Sequence, residues 1–218
     1  MIEKIKATRL YLDYLEEHYY NVQKAWKELQ YKCSDMYFIY DDYLYNIIDS
    51  HVKNHDDSKL SKEELVQYRE RFYPVNSNEE GGLDNSDKEI HENFNNAWKH
   101  HKELNPHHWE NWATQELNKG YCSHYGWQIN CVHMIIDWMS MGYKFGDTAQ
   151  EYYEKNCDRT DNITLECTIP AHNWEDKSGN NNHLTQGEVI KQLSLKENIK
   201  LPDYSIKFIY EIFERLSK

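Results

Sequence analysis

No Cys-x-x-Cys pair occurs anywhere in this sequence, and its five cysteines (Cys33, Cys122, Cys131, Cys157 and Cys167) are odd in number. The first absence excludes the spacing of a cysteine-based zinc site. The second gives no sign of a disulfide framework, so reduced thiols in a cytosolic protein are the expectation. Positive charge is short as well: 25 Lys and Arg face 37 Asp and Glu, for a net charge of −12 and a sequence pI near 5.4. So acidic a surface opposes tight binding to the phosphate backbone of long nucleic acid. It leaves a small phosphorylated substrate open, because a bound metal reverses the local field. No run of 18 apolar residues exists to span a membrane, and no membrane partner is expected. The opening MIEKIKATRLYLDYLEEH is charged throughout and lacks the apolar centre of a signal peptide, which predicts a cytoplasmic protein. Internal repeats and a second domain are missing too, and 218 residues is one ordinary domain, long enough for a real core.

Rings take the place of aliphatics. Hydrophobic residues make up only 39%, below globular usage, yet there are 18 Tyr, 7 Trp and 6 Phe. The core is therefore expected to be built from rings as much as from Leu and Val.

Helical periodicity runs through most of the chain. Residues 3–30 read as one helix, with Ile5, Leu12, Leu15, Tyr19, Val22 and Trp26 recurring at steps of three, four or seven. Residues 36–54 read as a second, with Tyr40, Leu44, Ile47, Ile48 and His51 on one face. Ser61-Lys62-Glu63-Glu64 is a capping-box pattern that predicts a short helix to about Phe72, stopped by Pro74. A polar, turn-rich loop covers 74–86. Helices follow at about 87–104, with Phe94, Ala97, Trp98 and His101 on one face, and at about 107–117 beyond Pro106. The most apolar helix is 127–142, around Ile129, Val132, Ile135, Ile136 and Met139, and a short one spans 148–156. Residues 157–185 are irregular, with β character that allows a short strand or hairpin near 163–169. Helices at about 186–196 and 203–216 close the chain. The fold class is all-α in the main: one helical domain over 1–218, its core at about 3–156.

Histidine is the informative residue, with 12 copies that cluster. In His55-Asp56-Asp57-Ser58-Lys59 a neighbouring His-Asp pair can give a nitrogen and a carboxylate oxygen to one divalent ion, and Lys59 can reach a substrate phosphate. Alone, such a dipeptide more often means a capping Asp beside a surface His. In Ala97-Trp98-Lys99-His100-His101-x-x-x-Asn105-x-His107-His108-Trp109-Glu110, four histidines fall within nine residues. Adjacent helical residues point about 100° apart, so one member of each pair is expected to face a site while the other binds substrate or lies outside. A surface cluster is the plain alternative, opposed by the two tryptophans. Asp137 sits inside the most apolar helix, where a carboxylate is costly unless paired or metal-bound. His18 is, with His51, one of two histidines upstream of the pair.

The order His18, His55-Asp56, Asp137 resembles the H…HD…D pattern of the HD phosphohydrolase superfamily. More closely, the chain is similar to an uncharacterised bacterial and phage family of HD-like proteins with an early His in the first helix, an H-D-x-S-K segment, A-W-x-H-H-x(3)-N-x-H-H and a late Asp. The likeness covers about residues 10–155 and leaves the C-terminal third without a match. It implies a helical HD-type bundle in a bacterial cytoplasm, phage-encoded in some cases, with one or two divalent transition metal ions (Mn, Fe, Ni, Co or Zn). The ligands it implies are His18, His55, Asp56, His101, His108 and Asp137. Asp56 is then the bridging and catalytic carboxylate, Lys59 the counter-charge to phosphoryl oxygens, His107 the acid for the leaving group, and Lys59, His100 and Asn105 the substrate contacts. A Lys at position 59, rather than an acidic residue, matches HD phosphodiesterases that use two or more metals. The implied reaction is hydrolysis of a phosphate mono- or diester, on a nucleotide or nucleotide second messenger, by metal-activated water. A homodimer is a modest expectation. The alternatives are an HD-like protein without turnover that acts as a sensor or as an inhibitor of a partner protein, and a protein whose histidines merely store metal.

Overall fold

A computed structural model of the chain describes residues 1–75, 88–113, 126–157 and 199–218. Helix α1 spans Ile2–Lys32, α2 Tyr37–Tyr40, α3 Asp42–Lys53, a 3-10 turn Asp57–Leu60, α4 Leu65–Phe72, α5 Lys88–Leu104, α6 Gly126–Phe145, α7 Ala149–Asn156 and α8 Asp203–Leu216. Residues 109–113 are helical as well. Among the described residues the only β pairing is a single parallel bridge between Cys157 and Ile199. The all-α expectation therefore holds. The hairpin expected near 163–169 and the helix at 186–196 lie outside the described residues, as does most of the 74–86 loop. Among the described residues no helix is long and apolar enough to cross a membrane.

Three local expectations are corrected. The segment 36–54 is two helices, because the Asp41 side chain accepts the Leu44 N–H at 3.0 Å and starts α3 afresh. The Ser61–Glu64 capping box does not form: α4 begins at Leu65 without a side-chain cap, because the Glu64 carboxylate is spent on two histidines. On α1, Ile5, Leu12 and Tyr19 are exposed, and the buried face is Ala7, Tyr11, His18, Val22, Ala25, Trp26 and Leu29. That face keeps helical spacing but carries small and polar-tipped residues in its first half, which a hydropathy pattern passes over.

The packing places a seam at the middle of α1. From Val22 onward, α1 packs against α3, α6 and α8 around Leu44, Ile48, Val132, Ile135, Ile136, Ile209 and Phe213, in a core that α7 joins through α6 and α8. Toward its start it meets a smaller cluster of Ala7, Tyr11, Tyr68, Tyr73 and Ala97, carried by α1, α4 and α5. His18 sits between Tyr11 and Val22, at the boundary of the two apolar clusters.

Candidate metal centre

The polar groups at that seam come from four elements. Beyond the end of α3, His55 is followed by Asp56 with φ 61° and ψ 18°. Asp56 is the single non-glycine residue with positive φ among those described. Left-handed backbone is uncommon for a side chain and is held only where the surroundings dictate it. Here it turns the chain so that both neighbours reach one point: His55 Nε2 lies 3.3 Å from Asp56 Oδ2.

Around Oδ2, His18 of α1 and Asp137 of α6 complete a first set. His18 Nε2 is 3.0 Å from His55 Nε2 and 3.3 Å from Asp56 Oδ2. Asp137 Oδ1 is 3.4 Å from the Nε2 of each histidine. Around Oδ1 a second set gathers. His101 Nε2 of α5 lies 3.2 Å away, and His107 Nε2, from the turn after α5, lies 3.4 Å away. Candidate ligand atoms of His18, His55 and Asp137 all fall within 4.8 Å of one another, and so do those of Asp56, His101, His107 and His108. His55, His107 and His133 form a third such group that shares members with the other two.

Three of the four facing imidazoles, His101, His55 and His18, are held from behind. Glu64, fully buried, accepts the His101 Nδ1–H at 2.9 Å through Oε2 and the His100 Nδ1–H at 2.7 Å through Oε1. An ionised carboxylate can only accept, so the Glu64 contact places a proton on His101 Nδ1 and orients Nε2 toward Asp56 Oδ1. His55 Nδ1 lies 2.9 Å from His133 Nε2, one turn before Asp137 on α6. Ser140 sits 3.3 Å from His18 Nδ1. Asn105 donates to Ser58 Oγ and to the His101 carbonyl, both at 2.8 Å, so its amide braces the end of α5. His100 is half-buried and lies on the outer side of Glu64. His108 packs its ring 4.8 Å from that of His101 and edge-on to Trp98, with Nε2 buried and unpartnered.

This arrangement suits a cation. Among the described residues, buried Asp56 Oδ1 and both His107 nitrogens make no hydrogen bond, although Oδ1 has two imidazole nitrogens within 3.4 Å. Acceptor lone pairs that face one another at contact are costly unless something positive lies between them. Nitrogen and carboxylate donors without thiolate suit first-row transition ions better than Mg or Ca. Burial would raise the carboxyls of Asp56 and Asp137, yet the cationic neighbours outweigh it and hold both well below the usual range. Burial would likewise lower His55, but the two carboxylates win and push it up to about 9. Burial keeps His18, His107, His108 and His133 below their ordinary value, hence neutral at pH 7, the form that binds metal. Lys59 places its Nζ 2.5 Å from Asp56 Oδ2 and stays charged despite burial, because of that carboxylate.

All the sequence-predicted site residues thus lie at or beside the seam: His18, His55, Asp56, Lys59, His101, His107, His108 and Asp137 converge, while His100 and Asn105 stand behind. Glu64 and His133 were not foreseen. His133 carried a readable signal, since it precedes Asp137 by four residues and so shares its helical face. Residues 8–192 match the profile of a family of unknown function (DUF5662). No curated protein and no solved structure matches the chain.

Proposed function

The chain belongs to the DUF5662 family, and we propose that it is a metal-dependent phosphohydrolase acting on a small phosphate ester, a nucleotide or nucleotide second messenger. The observation that carries this reading is the division of Asp56: Oδ2 faces His18, His55 and, beyond them, Asp137, whereas Oδ1 faces His101 and His107. One carboxylate shared by two nitrogen-rich donor sets is what a two-ion centre for phosphoryl transfer needs. The H…HD…D order of His18, His55-Asp56 and Asp137 supports it by resemblance, and the nucleotide part rests on that resemblance alone.

In this reading His18, His55, Asp56 and Asp137 would hold one ion, and Asp56, His101 and His107 would hold a second. Bound there, the ions supply the Lewis acidity that activates water and draws charge from a phosphoryl oxygen. Glu64, His133 and Ser140 fix the ring orientations of His101, His55 and His18, so the donor atoms need no rearrangement. The Lys59 ammonium offsets negative charge that grows on the phosphoryl oxygens. His107 would face Asp56 as a ligand, and the neighbouring His108, neutral and unpartnered at Nε2 among the described residues, would take up the proton that the attacking water gives up and pass it to the leaving oxygen.

The test is metal content by plasma mass spectrometry on untagged wild type and Asp56→Ala, followed by a screen of p-nitrophenyl mono- and diesters and nucleotides with the metal found. About one to two equivalents, lost in the variant, together with turnover, are expected. No uptake of Mn, Co, Ni or Zn on titration would overturn the whole reading. Full occupancy without turnover on any ester would remove the hydrolase and leave a metal-binding protein.

A further inference from the structure

Two buried phenols beside the centre have no hydrogen-bond partner among the described residues. Tyr11 of α1 is fully buried and Tyr68 of α4 is 5% exposed, and both hydroxyls are unsatisfied among the described residues. Both belong to the same small apolar cluster that borders the centre. The Tyr68 ring lies 5.8 Å from the His101 ring and 5.8 Å from Lys59 Nζ. The Tyr11 ring stacks at 6.5 Å on Tyr14, whose ring lies parallel to that of His18 at 6.2 Å. Both hydroxyls stand within the electrostatic reach of Lys59, Asp56 and Glu64. Burial raises the pKa of each, so both are protonated donors and not phenolates. Lys59 spends one of its three N–H groups on Asp56.

A buried hydroxyl that loses water without gaining a partner is destabilising, and a tyrosine in a core keeps its place only if its oxygen is used. Phenylalanine would fill the same space without that cost. The chain nonetheless gathers two orphan phenol donors and an ammonium beside the candidate metal centre. The group that satisfies all three is a tetrahedral oxyanion.

We infer that the Tyr11 and Tyr68 hydroxyls, with the Lys59 ammonium, form an oxyanion pocket that grips the phosphoryl group of the substrate beside Asp56. The inference rests on the phosphohydrolase reading and deepens it, since it names the part of the substrate that is held and the side chains that hold it. Tyr11 and Tyr68 are binding residues, and neither belongs to the groups of candidate metal ligands.

Metal-loaded protein is titrated with inorganic phosphate, by calorimetry and by thermal shift, for wild type, Tyr11→Phe, Tyr68→Phe and the double variant, against chloride at matched ionic strength. Phosphate binds the wild type, each single change weakens it on the order of tenfold, and metal content stays constant. Phenylalanine keeps the ring packing, so the variants are expected to fold. If the double variant does not, the two single ones decide. Phosphate affinity within about twofold of wild type in the Phe variants, with equal or greater thermal stability, would show that the hydroxyls are merely buried. Wild type that retains its metal but binds no phosphate overturns this inference alone. Wild type that takes up no metal overturns it together with the reading beneath it.

Discussion

Of the four imidazoles that turn toward Asp56, three have different groups behind them: the Glu64 carboxylate for His101, the neutral His133 ring for His55 and the Ser140 hydroxyl for His18. A carboxylate behind a histidine fixes its tautomer and raises its basicity more than a neutral acceptor does. Glu64→Gln is therefore expected to weaken binding at the His101–His107 position by about 10–100-fold while sparing the His18–Asp137 position. A cobalt titration followed by visible absorbance separates the two steps. Equal loss of both steps would mean that Glu64 acts by holding the fold. His133 acts by accepting from His55 Nδ1, so His133→Gln, which keeps an acceptor, should preserve most of the first-position affinity, and His133→Leu should cost about tenfold or more. Equal behaviour of Gln and Leu would remove the positioning role. Asp56 itself tolerates little change, because its side chain serves both positions and its backbone is left-handed.

Helices were the most legible part of the sequence, and the places where reading failed have physical causes. The last helix, Asp203–Leu216, lies where the periodicity places it, and the apolar helix expected over 127–142 extends to Gly126–Phe145. It runs on to Phe145 because Gly146, at φ 86°, closes it with its N–H on the Gly142 carbonyl at 2.7 Å. That tight return leaves no room at Gly142, where an added Cβ would stand 2.0 Å from the Asp147 carbonyl oxygen. Gly142→Ala should cost about 1–3 kcal/mol and lower Tm by roughly 2–4 °C per kcal/mol, with metal content unchanged. An unaltered melting curve would show that the α6–α7 connection yields freely. Between α3 and α4 the sequence was misleading for a different reason. Ser61 to Glu64 satisfies a local helix-start rule, but Glu64 is taken by His100 and His101, which lie 36 and 37 residues away in sequence. No local pattern contains that pairing. For the same reason the histidine and aspartate types were legible, while their outer partners were not.

Electrostatics ties the centre to the stability of the fold. The chain carries a net charge of −12, and its seam holds three ionised carboxylates, Asp56, Glu64 and Asp137, with Lys59 beside Asp56 as a permanent counter-charge. In metal-free protein Asp56 and Asp137 draw a proton onto His55, whose pKa rises from 6.5 to about 9. A folded-state value above the unfolded one contributes stability that is complete below about pH 6.5 and lost as pH climbs to about 9. Metal binding runs the other way. The ion must displace that proton, so apparent affinity at the His55 position should rise about tenfold per pH unit up to about pH 9 and then level off. Metal-free protein should therefore lose Tm between pH 6.5 and 9, while metal-loaded protein holds it, and the gap opened by EDTA should widen with pH. At free metal of about 100 times Kd, one ion adds about 2.7 kcal/mol, and the gap measures that gain directly. Calorimetry in buffers of different ionisation enthalpy should report close to one proton released per ion below pH 8. A gap that stays flat from pH 6 to 9, or no proton release, would show that His55 holds no proton in the metal-free centre and that the ion does not bind at its Nε2.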